Sequence, residues 1–328
     1  MDIVIQKFGG SSLRDINKEN HFLSHIQNSI KQNKKPVVVV SAIGRIGEPY
    51  ATDTLIEKLE NINKKIDPLK KDFIMSCGET ISTAIVSHLL DTKGIAAKPF
   101  TGLQAGITTD NNFNSSNILD IDTKPILDCI NRGIVPVVAG FQGSTKDMRI
   151  TTLGRGGSDI TAVSLGGYLK ADKVEIFTDV PGVAFIDPNI IPYTDYIENI
   201  NYDDMYILAS NGVGVIHSRA IKIGKEFNLP IQIKSTFSDN TGTIISNLNT
   251  EDSRPILGIA INNTRDTNII TIVFNQNFNQ NSRKKFETYL LKNELFIESV
   301  WQDKNILSLT LKFTDINYLG QKIYRYFF

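Results

Sequence analysis

Short apolar runs alternate with stretches whose apolar positions recur every three or four residues. Residues 3–7 form a β-rich run that ends at Gly9-Gly10-Ser11-Ser12. Leu13, Ile16, Leu23, Ile26 and Ile30 then recur at near-helical spacing and predict a helix. Residues 37–41 follow Pro36 and are apolar almost throughout, which predicts a strand buried on both faces. Over residues 79–90, Ile81, Ile85 and Leu89 share one helical stripe, and Gly94 supplies a stop. Residues 134–141 predict another buried strand. A helix over 158–169, a strand over 174–178, a helix over 217–227 and a strand over 231–234 complete the series. Strands separated by helices need crossover connections, so the pattern predicts an α/β fold with a largely parallel central sheet covered on both faces.

After about residue 248 the texture changes. The stretch SNLNTEDSRP, residues 246–255, is polar and ends in Pro255, as a linker does. Beyond it the pattern predicts a strand at 269–274, a helix at 282–292, strands at 296–301 and 306–313 joined by a turn at 302–305, and a helix at 315–326. That order, β-α-β-β-α, is a ferredoxin-like α+β unit lacking its final strand. Such a unit leaves residues 269–274 with an open edge, which is expected to pair with a second copy in a two-fold homodimer. Two domains are expected, residues 1–250 and 255–328.

A chain of 328 residues fits two domains at ~150 residues each. An apolar content of 41% supports a sizeable core, and 23 Gly with 11 Pro exclude a collagen-like chain. Lys and Arg total 35, as do Asp and Glu, so no global field favours nucleic acid or an anionic membrane. Any anion site must be local. Cys77 and Cys129 make neither a disulfide framework nor a CxxC metal pair, and the four histidines show no metal spacing. The opening MDIVIQKFGGSS has no apolar signal region, and the longest apolar runs fall short of the ~20 residues of a spanning helix. A soluble, cytoplasmic protein is expected.

Two glycine-rich segments sit where strands give way to helices. In Lys7-Phe8-Gly9-Gly10-Ser11-Ser12, glycines let backbone N–H groups approach an anion, and Lys7 adds a full charge. A tight turn with a surface lysine is the plainer reading. In Leu153-Gly154-Arg155-Gly156-Gly157-Ser158-Asp159, glycines around an arginine provide a backbone nest and a bidentate binder of carboxylate or phosphate. Asp159 could there serve as a helix cap. Neither segment is a GxxxxGK[ST] loop or a GxGxxG fingerprint.

Together the segments are far more specific. KFGGSS, VVVVSAIG, YATDTL, SCGETIS, GLQAGITTD, AGFQG, TTLGRGGSD and IFTDVPGV occur in that order. The set resembles the aspartokinases of the monofunctional type, ATP-dependent kinases of the amino-acid kinase fold, over about residues 1–260. The remainder resembles part of their regulatory ACT region. The resemblance implies phosphorylation of the L-aspartate side-chain carboxylate to 4-phospho-L-aspartate, with ATP and Mg²⁺, in the biosynthesis of lysine through diaminopimelate, and of threonine and methionine.

By position, Lys7, Phe8, Gly9, Gly10 and Ser41 match the family's phosphate-binding residues, with Lys7 on the transferred group. Thr52 and Asp53 match the pair that frames the aspartate site. Glu79 matches the acid that binds the substrate α-amino group. Arg155 matches the carboxylate clamp, with Gly156, Gly157, Ser158 and Asp159 around it. Asp159 is expected to orient Lys7, since a carboxylate nucleophile needs no base. Thr178 and Asp179 match the residues that hold the nucleoside. Mg²⁺ is expected to bridge ATP phosphates with few protein ligands, and no protein metal ligand is assigned.

Some positions depart from the family pattern. Asn189 follows Asp187-Pro188 where the family has arginine, Gly214 stands where it has lysine, and Ala184 replaces a larger side chain. Weak ATP binding is therefore expected, tightened by Asn189→Arg with Gly214→Lys. The alternative is a weak or inactive homologue serving as a regulatory or partner subunit, or a kinase for another small acidic metabolite. The ACT-like stretch matches one unit where the family has two, so weak feedback by lysine and threonine is expected.

Overall fold

The computed structural model describes residues 2–13, 19–44, 47–247, 254–263, 268–275, 278–293, 297–311 and 316–328. Residues 248–253 of the expected linker lie outside them. So do Ile16, Arg45, Ile46, Phe296, Lys312, Phe313 and Asp315, which fall in or beside expected elements.

In chain order the elements are Ile3–Phe8 (β1), Glu19–Lys31 (α1), Lys35–Val40 (β2), Thr52–Glu60 (α2) and Pro68–Thr92 (α3). Ala97–Phe100 (β3), Ile107–Thr109 (β4), Ile118–Ile121 (β5), Lys124–Asn131 (α4), Val135–Ala139 (β6), Gln142–Ser144 (β7) and Ile150–Thr152 (β8) follow. Next come Gly157–Tyr168 (α5), Lys173–Thr178 (β9), Asn199–Asn201 (β10), Tyr202–Ser210 (α6), Ser218–Glu226 (α7) and Ile231–Ser235 (β11). The last are Thr243–Ser246 (β12), Ile256–Asn263 (β13), Asn268–Phe274 (β14), Gln280–Asn293 (α8), Ile297–Asp303 (β15), Ile306–Leu311 (β16) and Ile316–Phe327 (α9).

These elements form two compact units that interleave in sequence. The first comprises Met1–Pro181 and Arg219–Thr241, the second Gly182–Ser218 and Gly242–Phe328. In the first unit, β11, β9, β1, β2, β6 and β3 lie side by side, and every pairing between neighbours is parallel. This is the expected crossover sheet, and Val37 to Val40 are fully buried as their continuous apolarity predicts. Phe8 anchors the core: its ring stacks on Phe177 at 4.5 Å and meets Phe22 edge-on at 4.5 Å. A small sheet of β5, β4, β7 and β8, with strands of three or four residues, lacks the alternation that would have announced it.

Helix α3 is 25 residues long and, by length and composition alone, apolar enough to cross a bilayer. It carries Asp72 and Glu79, both buried, and both hydrogen-bond to other segments of the same unit. It is a core helix.

In the second unit, β13, β14, β16 and β15 form an antiparallel sheet in that order, with α8 and α9. The expected β-α-β-β-α series is there, but the open edge at residues 269–274 is not. Strand β13 pairs along it, from Ile256 opposite Phe274 to Asn263 opposite Asn268. The missing strand of the ferredoxin-like unit is thus supplied from before the unit. Its run ILGIAI, interrupted by Gly258 and directly after the polar stretch that ends in Pro255, is assigned no element by the apolar pattern. The edge that was to drive homodimer formation is occupied. The fold class stands: an amino-acid kinase-type parallel sheet with an ACT-like antiparallel α+β sheet.

Candidate functional site

The parallel strands of the first unit end on one rim. Loops at the carboxyl ends of such strands are where ligands bind in open α/β sheets. The rim is formed by the segments after Phe8, Val40, Ala139, Thr178 and Ser235, and a chain of close contacts joins them. Ser41 N donates to Phe8 O at 3.1 Å, and Gly140 N to Val40 O at 2.9 Å. Ser12 Oγ lies 2.6 Å from Thr236 Oγ1, and Thr236 N donates to Thr178 O at 2.8 Å.

Lys7 leaves the sheet at the end of β1 and places Nζ 2.8 Å from Asp159 Oδ1. The two side chains are 14% and 12% exposed, so the pair is shielded but reachable. Asp159 sits in the first turn of α5, where it could have capped the helix, but no side chain caps that N-terminus. Its carboxylate is spent on Lys7 instead. That contact is the one an orienting role would require. The Phe8 side chain is fully buried in the core, so only its backbone can face a phosphate. Gly9 opens a single 3-10 turn over Gly10–Ser12. Gly10 is forced by close approach: a Cβ there would lie 2.2 Å from Ala42 O.

Ala42 connects this loop to α3. Its N–H donates to Glu79 Oε1 at 3.1 Å, and Ile43 N donates to Ser82 Oγ at 3.1 Å. Glu79 is 3% exposed, and its Oε2 has no hydrogen-bond partner among the described residues. Burial pushes its carboxyl up to about 8, with the Ala42 N–H pulling weakly the other way. A buried carboxyl with one orphan oxygen, protonated when empty, can ionise against a cation that offsets its burial. Gly78, beside it, lets the Tyr50 carbonyl approach: a Cβ would lie 2.8 Å from that oxygen. Thr52 and Asp53 open α2 two residues on; Thr52 is half-buried and Asp53 exposed. No hydrogen bond or ion pair links Asp53 to Glu79 or Arg155 among the described residues. Burial pushes the Cys77 thiol up, and its sulfur donates to Phe73 O at 3.4 Å, in keeping with a packing role.

Arg155 is exposed, and no ion pair or hydrogen bond engages its guanidinium among the described residues. Gly154 and Gly156 flank it with φ of +74° and +71°, a left-handed backbone that only glycine adopts without cost. Gly157, Ser158 and Asp159 then enter α5, whose 12 residues direct a positive dipole end at the same rim. Thr178 Oγ1 donates to Asp179 Oδ1 at 3.2 Å at the end of β9. Among the described residues no group of three or more His, Cys, Asp or Glu could hold a metal ion.

The structure also identifies residues that motif reading passed over. Asp72, fully buried, accepts from Asn114 N at 3.0 Å, Thr152 N at 2.8 Å and Thr152 Oγ1 at 2.7 Å. It stands seven residues before Glu79, on the same face of α3, and that spacing was a usable signal. Arg219 donates to Leu153 O at 2.7 Å, Ser116 O at 3.0 Å and Asn117 Oδ1 at 3.1 Å. Nothing local marks it, because its partners lie far away in sequence. His25, one of the four histidines without metal spacing, places Nε2 3.0 Å from Thr236 O behind the rim.

A family model described as the amino acid kinase family matches residues 2–235. Aspartokinase 1 of Bacillus subtilis is 39% identical over 246 residues, 75% of this chain and 61% of that protein. The aspartokinase of Geobacillus stearothermophilus is 40% identical over 245 residues, 75% of this chain and 59% of that protein. The chain thus spans about three fifths of the length of these relatives. The aspartate kinase structure from Clostridium acetobutylicum superposes with a TM-score of 0.72 at 19% identity, over 99% of this chain and all of that one. At that identity the likeness is one of fold.

Proposed function

The chain belongs to the amino acid kinase family, and from that premise we propose that it is an aspartate kinase, transferring the γ-phosphoryl group of ATP to the side-chain carboxylate of L-aspartate. The observation that carries this reading is the pairing of a nucleotide-type cation with an amino-acid-type anion on one rim. Lys7, held by Asp159 at 2.8 Å, serves the phosphoryl group, while buried Glu79, with its orphan Oε2, serves an ammonium. The relatives at 39% and 40% identity are aspartokinases, which favours L-aspartate over other amino acids.

In this reading the side-chain carboxylate oxygen attacks the γ-phosphorus, the bond to the β-γ bridging oxygen breaks, and ADP leaves. A carboxylate is already a nucleophile, so no base is needed. Catalysis is positioning and charge stabilisation, for which Lys7, the Gly9-Gly10 backbone, Ser41 and the α5 N-terminus are suited. Asp159 keeps Lys7 aimed. Arg155, with Gly156, Gly157 and Ser158, receives a substrate carboxylate, and Thr52 and Asp53 close that side. Thr178 and Asp179 hold the nucleoside. Mg²⁺ bound with ATP would neutralise phosphate charge beside Lys7. ATP and a free amino acid as substrates fit a cytoplasmic setting. A homodimer through the ACT-like sheet would use an edge strand, β13 or β15.

An ADP-release assay with Mg-ATP and a panel of small acids tests the proposal, with hydroxylamine trapping the acyl phosphate as a hydroxamate. Release with L-aspartate and an aspartyl hydroxamate are expected. ADP release with another acid and none with L-aspartate would overturn it.

A further inference from the structure

The loop that carries Arg155 is held from within by backbone bonds alone, Gly157 N to Gly154 O at 2.9 Å and Asp159 N to Gly156 O at 3.0 Å. Two of its three flanking glycines, Gly154 and Gly156, are in left-handed backbone, and the Arg155 side chain is engaged by no described residue. Free glycines cost entropy to order, so something outside the loop must fix it. The two residues before it, Thr152 and Leu153, are where that happens.

On one side Asp72 receives both the backbone N–H and the hydroxyl of Thr152, and its two oxygens also share the Asn114 N–H, each at 3.0 Å. On the other side Arg219 donates to Leu153 O, and its second nitrogen spans Ser116 O and Asn117 Oδ1. Ser116 N donates to Thr152 O at 2.9 Å, closing the segment 114–117 onto 152–153. A carboxylate and a guanidinium thus grip the same two-residue segment through charge-assisted bonds, each also holding residues 114–117. None of these bonds uses a donor of Gly154 to Gly157, where Gly157 N instead donates to Gly154 O at 2.9 Å.

We infer that Asp72 and Arg219 are positioning residues that brace the substrate-carboxylate loop, acting through Thr152 and Leu153 and touching no substrate themselves. The inference rests on the aspartate kinase reading for its kinetic consequence, but the brace itself can be read without any activity. Displacing a clamp by about 1 Å from a distance can cost ~100-fold. Loss of binding shared by ground and transition states appears in KM rather than kcat.

The test uses the full chain with Arg219→Ala, Arg219→Lys and Asp72→Asn. Trypsin cleaves after Arg155 only when the loop opens, and the peptide beginning at Gly156 is quantified by mass spectrometry. Both Arg219→Ala and Asp72→Asn are expected to speed that cleavage by roughly tenfold or more, with cleavage at distant sites such as Lys292 unchanged. KM for L-aspartate is expected to rise about tenfold or more, with kcat and KM for ATP within about threefold. Arg219→Lys keeps the charge but loses the fork, so it should restore part of the loss. Unchanged cleavage after Arg155 and unchanged KM in folded Arg219→Ala would overturn the inference. A uniform rise in cleavage at all sites would overturn it too, as a general loss of stability. Should Arg219→Ala not fold, Arg219→Gln is read in the same way. If the unaltered chain phosphorylates no aspartate, the function proposal fails, and the cleavage result still decides the brace.

Discussion

Glu79 provides the sharpest quantitative handle. Its carboxyl is pushed from the usual 4.5 up to about 8 because burial penalises the charged form. Folding therefore raises its proton affinity. Between pH 4.5 and about 8 the folded chain holds a proton that the unfolded chain has released, so stability falls as pH rises through that window. At about 1.4 kcal/mol per unit, the whole shift is worth at most about 5 kcal/mol. Glu79→Gln keeps the shape and removes the titration. Urea unfolding of both chains from pH 5 to 9 should give a wild-type stability that drops relative to the variant, by several kcal/mol in total. Substrate reverses the effect. An α-ammonium against Oε2 favours the ionised form, so binding L-aspartate at pH 7 should release close to one proton. Isothermal titration in buffers of different ionisation enthalpy counts that proton, and the variant should release none and bind weakly. A stability difference flat with pH, together with proton-neutral binding by the wild type, would refute the reasoning.

Lys7→Ala should lower kcat by about 100-fold or more in steady-state assays, through loss of a preorganised charge. It should also destabilise the chain by up to ~3 kcal/mol in urea, because Asp159 is left largely shielded without its partner. Arg155→Lys should raise KM for aspartate with a smaller change in kcat, since an ammonium cannot reproduce a bidentate fork. Gly10→Ala should weaken ATP binding and cost about 1–3 kcal/mol, because its Cβ would meet Ala42 O at 2.2 Å and the backbone must shift. Gly9→Ala, whose nearest such atom is 3.9 Å away, should lose much less in the same ATP titration.

The parallel sheet was legible because its strands are buried on both faces, and buried strands read as unbroken apolar runs. Residues 37–40 are the plainest case. The glycine loops were legible because close approach and left-handed backbone restrict the residue type, as at Gly10 and Gly154. What stayed hidden has a common physical cause. Strands β4, β7 and β8 are too short for periodicity to show, and β13 carries a glycine and adjoins a polar stretch. Arg219 acts across more than 60 residues of sequence on backbone carbonyls, which carry no side-chain signature. The orphan oxygen of Glu79 could be expected as a role but not seen as a vacancy, because that depends on where every neighbouring donor points.

The interleaving of the two units makes the second one indivisible at the level of the gene. Residues Gly182–Ser218 arise within the first unit's sequence, yet they pack with the segment that follows Gly242. Ile259 N donates to Phe185 O, Asn305 Nδ2 donates to Asp204 Oδ1, and Gly258 meets Leu208 so closely that a Cβ would lie 2.9 Å from it. A stop codon near residue 250 would therefore not release a self-sufficient kinase from a dispensable tail. It would strip β13 to α9 from α6 and uncover apolar surface around Leu208 and Phe185. A chain trimmed within the ACT-like portion keeps that face covered only if β13 is retained. The first strand of the sheet is then the portion least free to be lost.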